Sequence, residues 1–304
     1  MTLAQPASGI GRNDEIMDRV HGTLELMHRW GYAPTVQALA DELVGGPVSS
    51  REIQDVIGNQ GSFLQDGDFV CLPGEERLVA KSRDRERMNR LMNGHGLAIA
   101  EVFARELVRM CPFVDCVALS GSVASGGYIA SDDIDFDLFV QDGTKYITYA
   151  ISLALGLRFS LREAASGPVR KVTCINVIWT REQTSPFTRA DSDLAFELLR
   201  CRPLIGGEYF HAVLSKNDWV SGYFPQAARP PRPDLPRPPF GFVARCLARI
   251  AMHPPLLRLA ERCGRMMSFL VYTGAHWMRR SDASAMQRFA FLQRVKYPYE
   301  VFQD

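Results

Sequence analysis

Leu119-Ser120-Gly121-Ser122-Val123-Ala124-Ser125-Gly126-Gly127, followed three residues later by Ser131-Asp132-Asp133-Ile134-Asp135-Phe136-Asp137-Leu138-Phe139-Val140, is the stretch that decides the fold. The β-branched apolar run Val114–Leu119 feeds a turn of small residues, and ten residues after Ser122 a second apolar run begins. Side chains alternate along a strand. Asp133, Asp135 and Asp137 therefore share one face of the second run, and Ile134, Phe136 and Leu138 share the face turned to a core.

Burying a sheet does not require such an acidic row. Two carboxylates two apart on a strand can share a divalent ion, supplying the hard oxygens that Mg²⁺ prefers while phosphate and water complete its shell. A second ion about 4 Å away could serve the attacking group in an in-line displacement. The Gly121-Ser122 turn suits the other half of that task. Glycine lets backbone approach a phosphate, and a serine hydroxyl with the following amides can donate to its oxygens.

The Gly-Ser turn, the ten-residue interval and Asp133-Ile134-Asp135 in an apolar strand resemble the DNA polymerase β-like nucleotidyltransferase superfamily, particularly its minimal bacterial and archaeal members. The resemblance implies transfer of a nucleoside monophosphate from an NTP to an acceptor, with Mg²⁺ or Mn²⁺ and release of pyrophosphate. By position it assigns the triphosphate to Gly121 and Ser122, and the metals and catalysis to Asp133 and Asp135. It extends over roughly residues 14–226, to a subgroup that joins an N-terminal winged helix to this core. The pieces that look alike are 69–83, Cys174-Ile175-Asn176, Leu194-Ala195-Phe196-Glu197, Asn217-Asp218-Trp219-Val220 and Tyr223-Phe224-Pro225.

Two departures bear on the site. Superfamily enzymes commonly take a third carboxylate from a neighbouring strand, and the segment 171–180 contains none. Asn176 is the polar residue there, a neutral candidate ligand, and Lys171 at its start is a candidate phosphate contact. Asp137 stands where an apolar residue is usual, so Asp135 with Asp137 is the alternative metal pair. Three aspartates at alternate positions span about 13 Å, too far for one ion. Glu197 could supply the missing acid, but at helical spacing from Asp193 it reads as an exposed helical residue.

Outward from this segment, residues 1–75 read as three short helices and a hairpin, a winged-helix pattern. Ile16, Val20, Leu24 and Met27 recur at helical spacing, Thr35 opens a second helix, and Ser49 with Glu52 fits a capping box. Asp66-Gly67 marks the hairpin. Residues 76–226 form the nucleotidyltransferase core with a leading helix, expected to break near Asn93-Gly94-His95-Gly96. Within it the expected order is strand 114–119, strand 134–140, helix 145–155, strands 157–161 and 171–180, and helix 191–199 stopped by Pro203. Seven prolines in 225–239 mark 227–240 as a linker, and 241–304 reads as a basic helical region. The expected class is α+β, with a mixed nucleotidyltransferase-type sheet between a winged helix and C-terminal helices.

Thirty-five basic and 34 acidic residues give 304 residues a net charge of +1, so composition makes no case for nucleic acid. The near-zero value is a cancellation. Residues 1–75 hold four arginines against 11 carboxylates, a net −7, whereas 241–304 hold ten basic and four acidic residues, a net +6. An acidic winged helix repels duplex DNA, which is bound mainly through phosphate contacts. The partners that the resemblance implies are an NTP and the hydroxyl or carboxylate of a small molecule. An RNA 3′ end is the alternative acceptor, and a non-catalytic nucleotide-binding regulator the alternative class.

The basic run Lys81, Arg83, Arg85, Arg87 and Arg90 reads as a solvated helix face, and Trp219 and Tyr223 as core filling. The C-terminal arginines are expected to ring a phosphate cleft, with the apolar helix faces packed on the core; the alternative is a basic amphipathic helix lying on an anionic membrane or RNA. Seven cysteines without a CxxC pair read as buried small hydrophobes in a reducing, cytoplasmic setting. No apolar run reaches the roughly 20 residues of a membrane span. No His/Cys zinc spacing, P-loop, GxGxxG or GxSxG occurs.

Overall fold

The computed structural model describes residues 9–59, 61–163, 171–228, 234–278 and 283. The architecture is α+β, with two compact units, each discontinuous in sequence. One comprises 1–88, 190–199 and 218–229, and the other 89–189, 200–217 and 230–304. Residues 229–233 of the proline-rich stretch and nearly all of 279–304 lie outside the described residues.

The first unit begins with three helices, α1 (Gly9–Arg29), α2 (Val36–Asp41) and α3 (Ser50–Asn59), followed by the hairpin β1 (Leu64–Asp66) and β2 (Phe69–Cys71). Ile16, Val20, Leu24 and Met27 are buried, as their spacing requires. Thr35 caps α2 through the Ala38 amide, and Ser49 and Glu52 make the reciprocal bonds of a capping box (3.2 and 2.9 Å). Gly67, at φ +62, turns the hairpin, whose strands pair Asp66 with Phe69. Two basic residues of the helix α4 (Glu76–Met110) are tied down in this unit: Lys81 donates to the Gly31 carbonyl, and Arg83 pairs with Asp66. Tyr223 accepts from the Gly45 amide through its carbonyl, and Phe224 packs on Phe196.

The second unit is built on a four-stranded mixed sheet in the order β5-β4-β3-β6. β3 (Val114–Leu119) is antiparallel to β4 (Ile134–Val140) and to β6 (Arg202–Ile205), and β4 is parallel to β5 (Thr173–Thr180). The parallel pair needs a crossover, supplied by α6 (Lys145–Glu163). Ile134, Phe136 and Leu138 join a core with Phe103 and Leu107 of α4 and Phe159 of α6. Phe103 stacks on Phe136 at 4.5 Å. On the other face Phe139 meets Trp179, Tyr209 and Phe210.

The structure corrects several expectations. The leading helix is unbroken over 35 residues, because Gly96 serves packing: a Cβ there would sit 2.9 Å from the Tyr128 ring. Residues 157–161 continue α6, with Phe159 buried and Leu157 and Leu161 exposed, which is a helical period. Gly156 leaves room there for Thr173, whose Oγ1 would lie 2.9 Å from a Cβ at that position. Pro203 lies within β6, an edge strand that tolerates a residue without an amide donor. The segment read as a linker is bonded where it is described. Asp234 accepts from the Gly207 amide, Leu235 donates to the Leu204 carbonyl, and Arg237 donates to the carbonyls of Val114 and Asp115.

The C-terminal helices α10 (Phe242–Ala251) and α11 (Pro254–Met278) also depart from expectation, because most of their large apolar side chains are exposed. Among the described residues no helix is long and apolar enough to cross a membrane. All seven cysteines are free, and Cys263 is exposed rather than buried.

The two glycines of the leading helix should respond oppositely to alanine. Gly94 is exposed with open space around its Cβ position, so Gly94→Ala should raise unfolding stability by about 1 kcal/mol through helix propensity. Gly96→Ala should lower it by about 1–2 kcal/mol through the Tyr128 collision. Urea unfolding of both variants checks this, and equal effects would refute the packing role.

Candidate functional site

The site is assembled where β3 ends beside the start of β4. Ser120 is extended and its amide donates to the Asp135 carbonyl (3.0 Å), which ties the turn to the strand. Gly121 then takes φ +59, a region open to glycine, and begins the short helix α5 (Gly121–Ala124). Bonds from Ser125 N to Gly121 O and from Gly127 N to Ser122 O (3.1 and 2.9 Å) close the turn. A Cβ on Gly121 would collide with the Asp135 carboxylate. Turn and acid are thus in direct contact, and only glycine permits it.

Asp135 is 9% exposed. Its neighbour on β5 is Cys174, directly opposite in the parallel register. Carboxylate oxygens of Asp133 and Asp135 and the Cys174 sulfur all lie within 4.8 Å of one another. Lys171 reaches the same edge and its Nζ donates to Asp133 Oδ2 at 2.8 Å. The Lys171 side chain is 52% exposed, so this pair is screened by solvent. Burial, with Asp135 and Asp133 nearby, pushes the Cys174 thiol up to about 11 despite Lys171, leaving it protonated at neutral pH.

Asp137 is separated from this group in role. It is fully buried, and Oδ1 accepts from Ser120 Oγ (2.8 Å) and Asn176 Nδ2 (3.1 Å), while Oδ2 accepts from Cys201 Sγ (3.1 Å). Asn176 reaches it through a bulge: Phe136 pairs with Ile175 but Asp137 with Val177, leaving Asn176 as the extra residue on β5. The same amide also approaches Ser120 Oγ (3.3 Å). Of the residues expected to bind metal, the structure therefore groups Asp133 and Asp135, and binds Asp137 and Asn176 to each other. Glu197 lies in α7 (Ser192–Arg200) and is 6% exposed, contrary to the solvated reading.

The phosphate-binding candidates are divided. Gly121 and Ser122 stand in the turn against Asp135, and the Ser122 hydroxyl is buried with no hydrogen-bond partner among the described residues, a group that a ligand oxygen would satisfy. Lys171 is held by Asp133. Cys174 was missed at the sequence level. Its signal was its place two residues before Asn176, on the strand expected to provide a third ligand, but only the register shows that it opposes Asp135. The carboxylate pair suits Mg²⁺ or Mn²⁺, and a deprotonated Cys174 would add affinity for softer ions.

Burial pushes the Asp137 carboxyl up to about 6, against the hydrogen bonds from Cys201, Ser120 and Asn176 that favour its anion. The folded state therefore holds this proton more tightly than the unfolded chain. The resulting stabilisation is complete below about pH 4 and is lost as pH rises through about 6. Asp137→Asn, which cannot ionise, should gain about 3 kcal/mol on the parent chain between about pH 4 and about pH 8. Urea midpoints across that range test this, and a constant difference would show that Asp137 does not titrate there.

No protein-family model, curated protein or solved structure matches the chain.

Proposed function

We propose that the protein transfers a nucleoside monophosphate from an NTP to the hydroxyl or carboxylate of a small molecule, releasing pyrophosphate. The contact between the Gly121 α-carbon and the Asp135 carboxylate carries this reading, because it puts a glycine-serine turn against a carboxylate pair. Asp133 and Asp135 would hold Mg²⁺ or Mn²⁺, which when bound offsets triphosphate charge and stabilises the leaving pyrophosphate. Gly121, lacking a side chain, lets the turn stand directly against the Asp135 carboxylate. Ser122 donates its buried hydroxyl to a phosphate oxygen, gaining the partner it otherwise lacks. Lys171 adds positive charge at the same edge. The acceptor oxygen attacks the α-phosphorus, the bond to the bridging oxygen breaks, and the acceptor's proton passes to solvent. The chain's share is thus positioning and charge compensation.

A second reading, a nucleotide-binding regulator without transferase activity, is favoured by one observation. The β5 residue facing the carboxylate pair is a protonated thiol rather than a third carboxylate.

The full-length protein should show a raised melting temperature with at least one NTP plus Mg²⁺ or Mn²⁺, and Asp135→Asn should abolish the shift. Pyrophosphate release on adding sugar, alcohol or carboxylate acceptors identifies the transferase. NTP binding without release supports the regulator, and no shift with any NTP, unchanged by Asp135→Asn, overturns both.

A further inference from the structure

α11 packs along α6, with Leu257 and Ala260 against the core and otherwise small or polar residues turned inward. The Glu261 carboxylate accepts from the amides of Tyr146 (2.7 Å) and Ile147 (2.9 Å). Gly264 lies so close to the same backbone that a Cβ would be 3.0 Å from it, and Ser268 is buried. Most of the other large side chains face the other way. Leu256, Leu259, Met266 and Leu270 are 50–64% exposed, and Cys263 and Met267 are exposed with them. Their spacing of three and four residues makes one stripe along the helix, about 20 Å long at helical rise.

The charge beside this stripe has one sign. Residues 241–278 contain five arginines and a single carboxylate, Glu261, which is turned inward to the backbone of α6. Arg258, Arg262 and Arg265 are exposed on one flank of the stripe. Arg262 and Arg265 line a shallow depression with Met266 and Phe269, two guanidinium groups over an apolar floor. Arg265 also lies 5.3 Å from the centre of the Tyr146 ring, which holds it at this edge.

The occupant must accept apolar side chains and supply negative charge. A second copy of this surface would bring three more flanking arginines with, among the described residues of 241–278, no exposed carboxylate to meet them, and like charges brought together across an interface are unfavourable. Anionic phospholipid meets both demands, its acyl region taking the leucines and methionines and its phosphates the arginines. We propose that α11 docks on an anionic phospholipid surface, lying in the plane of the interface with its Leu256-to-Leu270 stripe inserted. Phe242 and Met252 of the neighbouring segment are exposed as well. This docking does not depend on the nucleotidyl-transfer reading.

Vesicles of phosphatidylcholine, with or without phosphatidylglycerol, test it by co-sedimentation of the full-length protein. Binding should require phosphatidylglycerol and weaken as salt is raised. Leu259→Glu with Met266→Glu should abolish it, and both side chains are exposed, so the far-ultraviolet circular dichroism should not change. Arg258→Gln with Arg262→Gln should weaken it roughly 30-fold, since a cationic side chain near an anionic surface contributes about 1 kcal/mol, or about fivefold. The proposal is overturned if the parent chain does not sediment with phosphatidylglycerol vesicles, or if the glutamate variant still does. It is overturned equally if the lipid-free protein is a dimer that Leu259→Glu converts to monomer, which would assign the stripe to a second copy.

Discussion

A carboxylate without access to water in the middle of the central strand constrains the sheet on every side. Asp137 must be supplied with donors, because an unsatisfied polar group in such a place destabilises the fold by several kcal/mol. The donors come from three directions: Ser120 at the end of β3, Asn176 on β5 and Cys201 at the entrance to β6. The bulge that delivers Asn176 shifts the parallel register by one residue, and Ser120 immediately precedes the left-handed glycine. The satisfied carboxylate therefore fixes where the turn begins.

The aspartates of β4 share a face and yet have separate environments. Asp137 accepts from Ser120, Asn176 and Cys201, and Asp133 and Asp135 gather at the strand's open end with Lys171 and Cys174. Solvent access grades along the row: Asp137 is fully buried, Asp135 is 9% exposed, and the Asp133 side chain is 13% exposed. The outer pair is the more open to solvent. The inner carboxylate holds the framework on which that pair is displayed.

Much of this was legible in the sequence. Alternation in Ile134–Val140 gave both its faces, and the spacing from Ser122 gave the turn and strand beside each other. Caps and the Asp-Gly hairpin were equally readable, since their chemistry is local. What failed depended on partners far along the chain. Gly94 and Gly96 looked like a break, but the reason for Gly96 is Tyr128, 32 positions away. Leu157, Phe159 and Leu161 alternate like a strand, and only Phe159 is covered. The phase of β5 was invisible because a bulge leaves no mark in composition, so attention fell on Asn176 and passed over Cys174. The C-terminal helices were correctly read as amphipathic, but periodicity does not say which side faces the protein.

Residues 234–237, within the proline-rich stretch, bear on the solubility of the fold. β6 pairs with β3 alone, so its outer side would offer free backbone groups to any passing strand. The Leu235 amide occupies the Leu204 carbonyl in that row. Arg237 occupies two further carbonyls where β3 begins. Residues 234–237 thus act as a guard rail along an otherwise adhesive margin, and a chain cut before them would be inclined to join its sheet to that of another molecule.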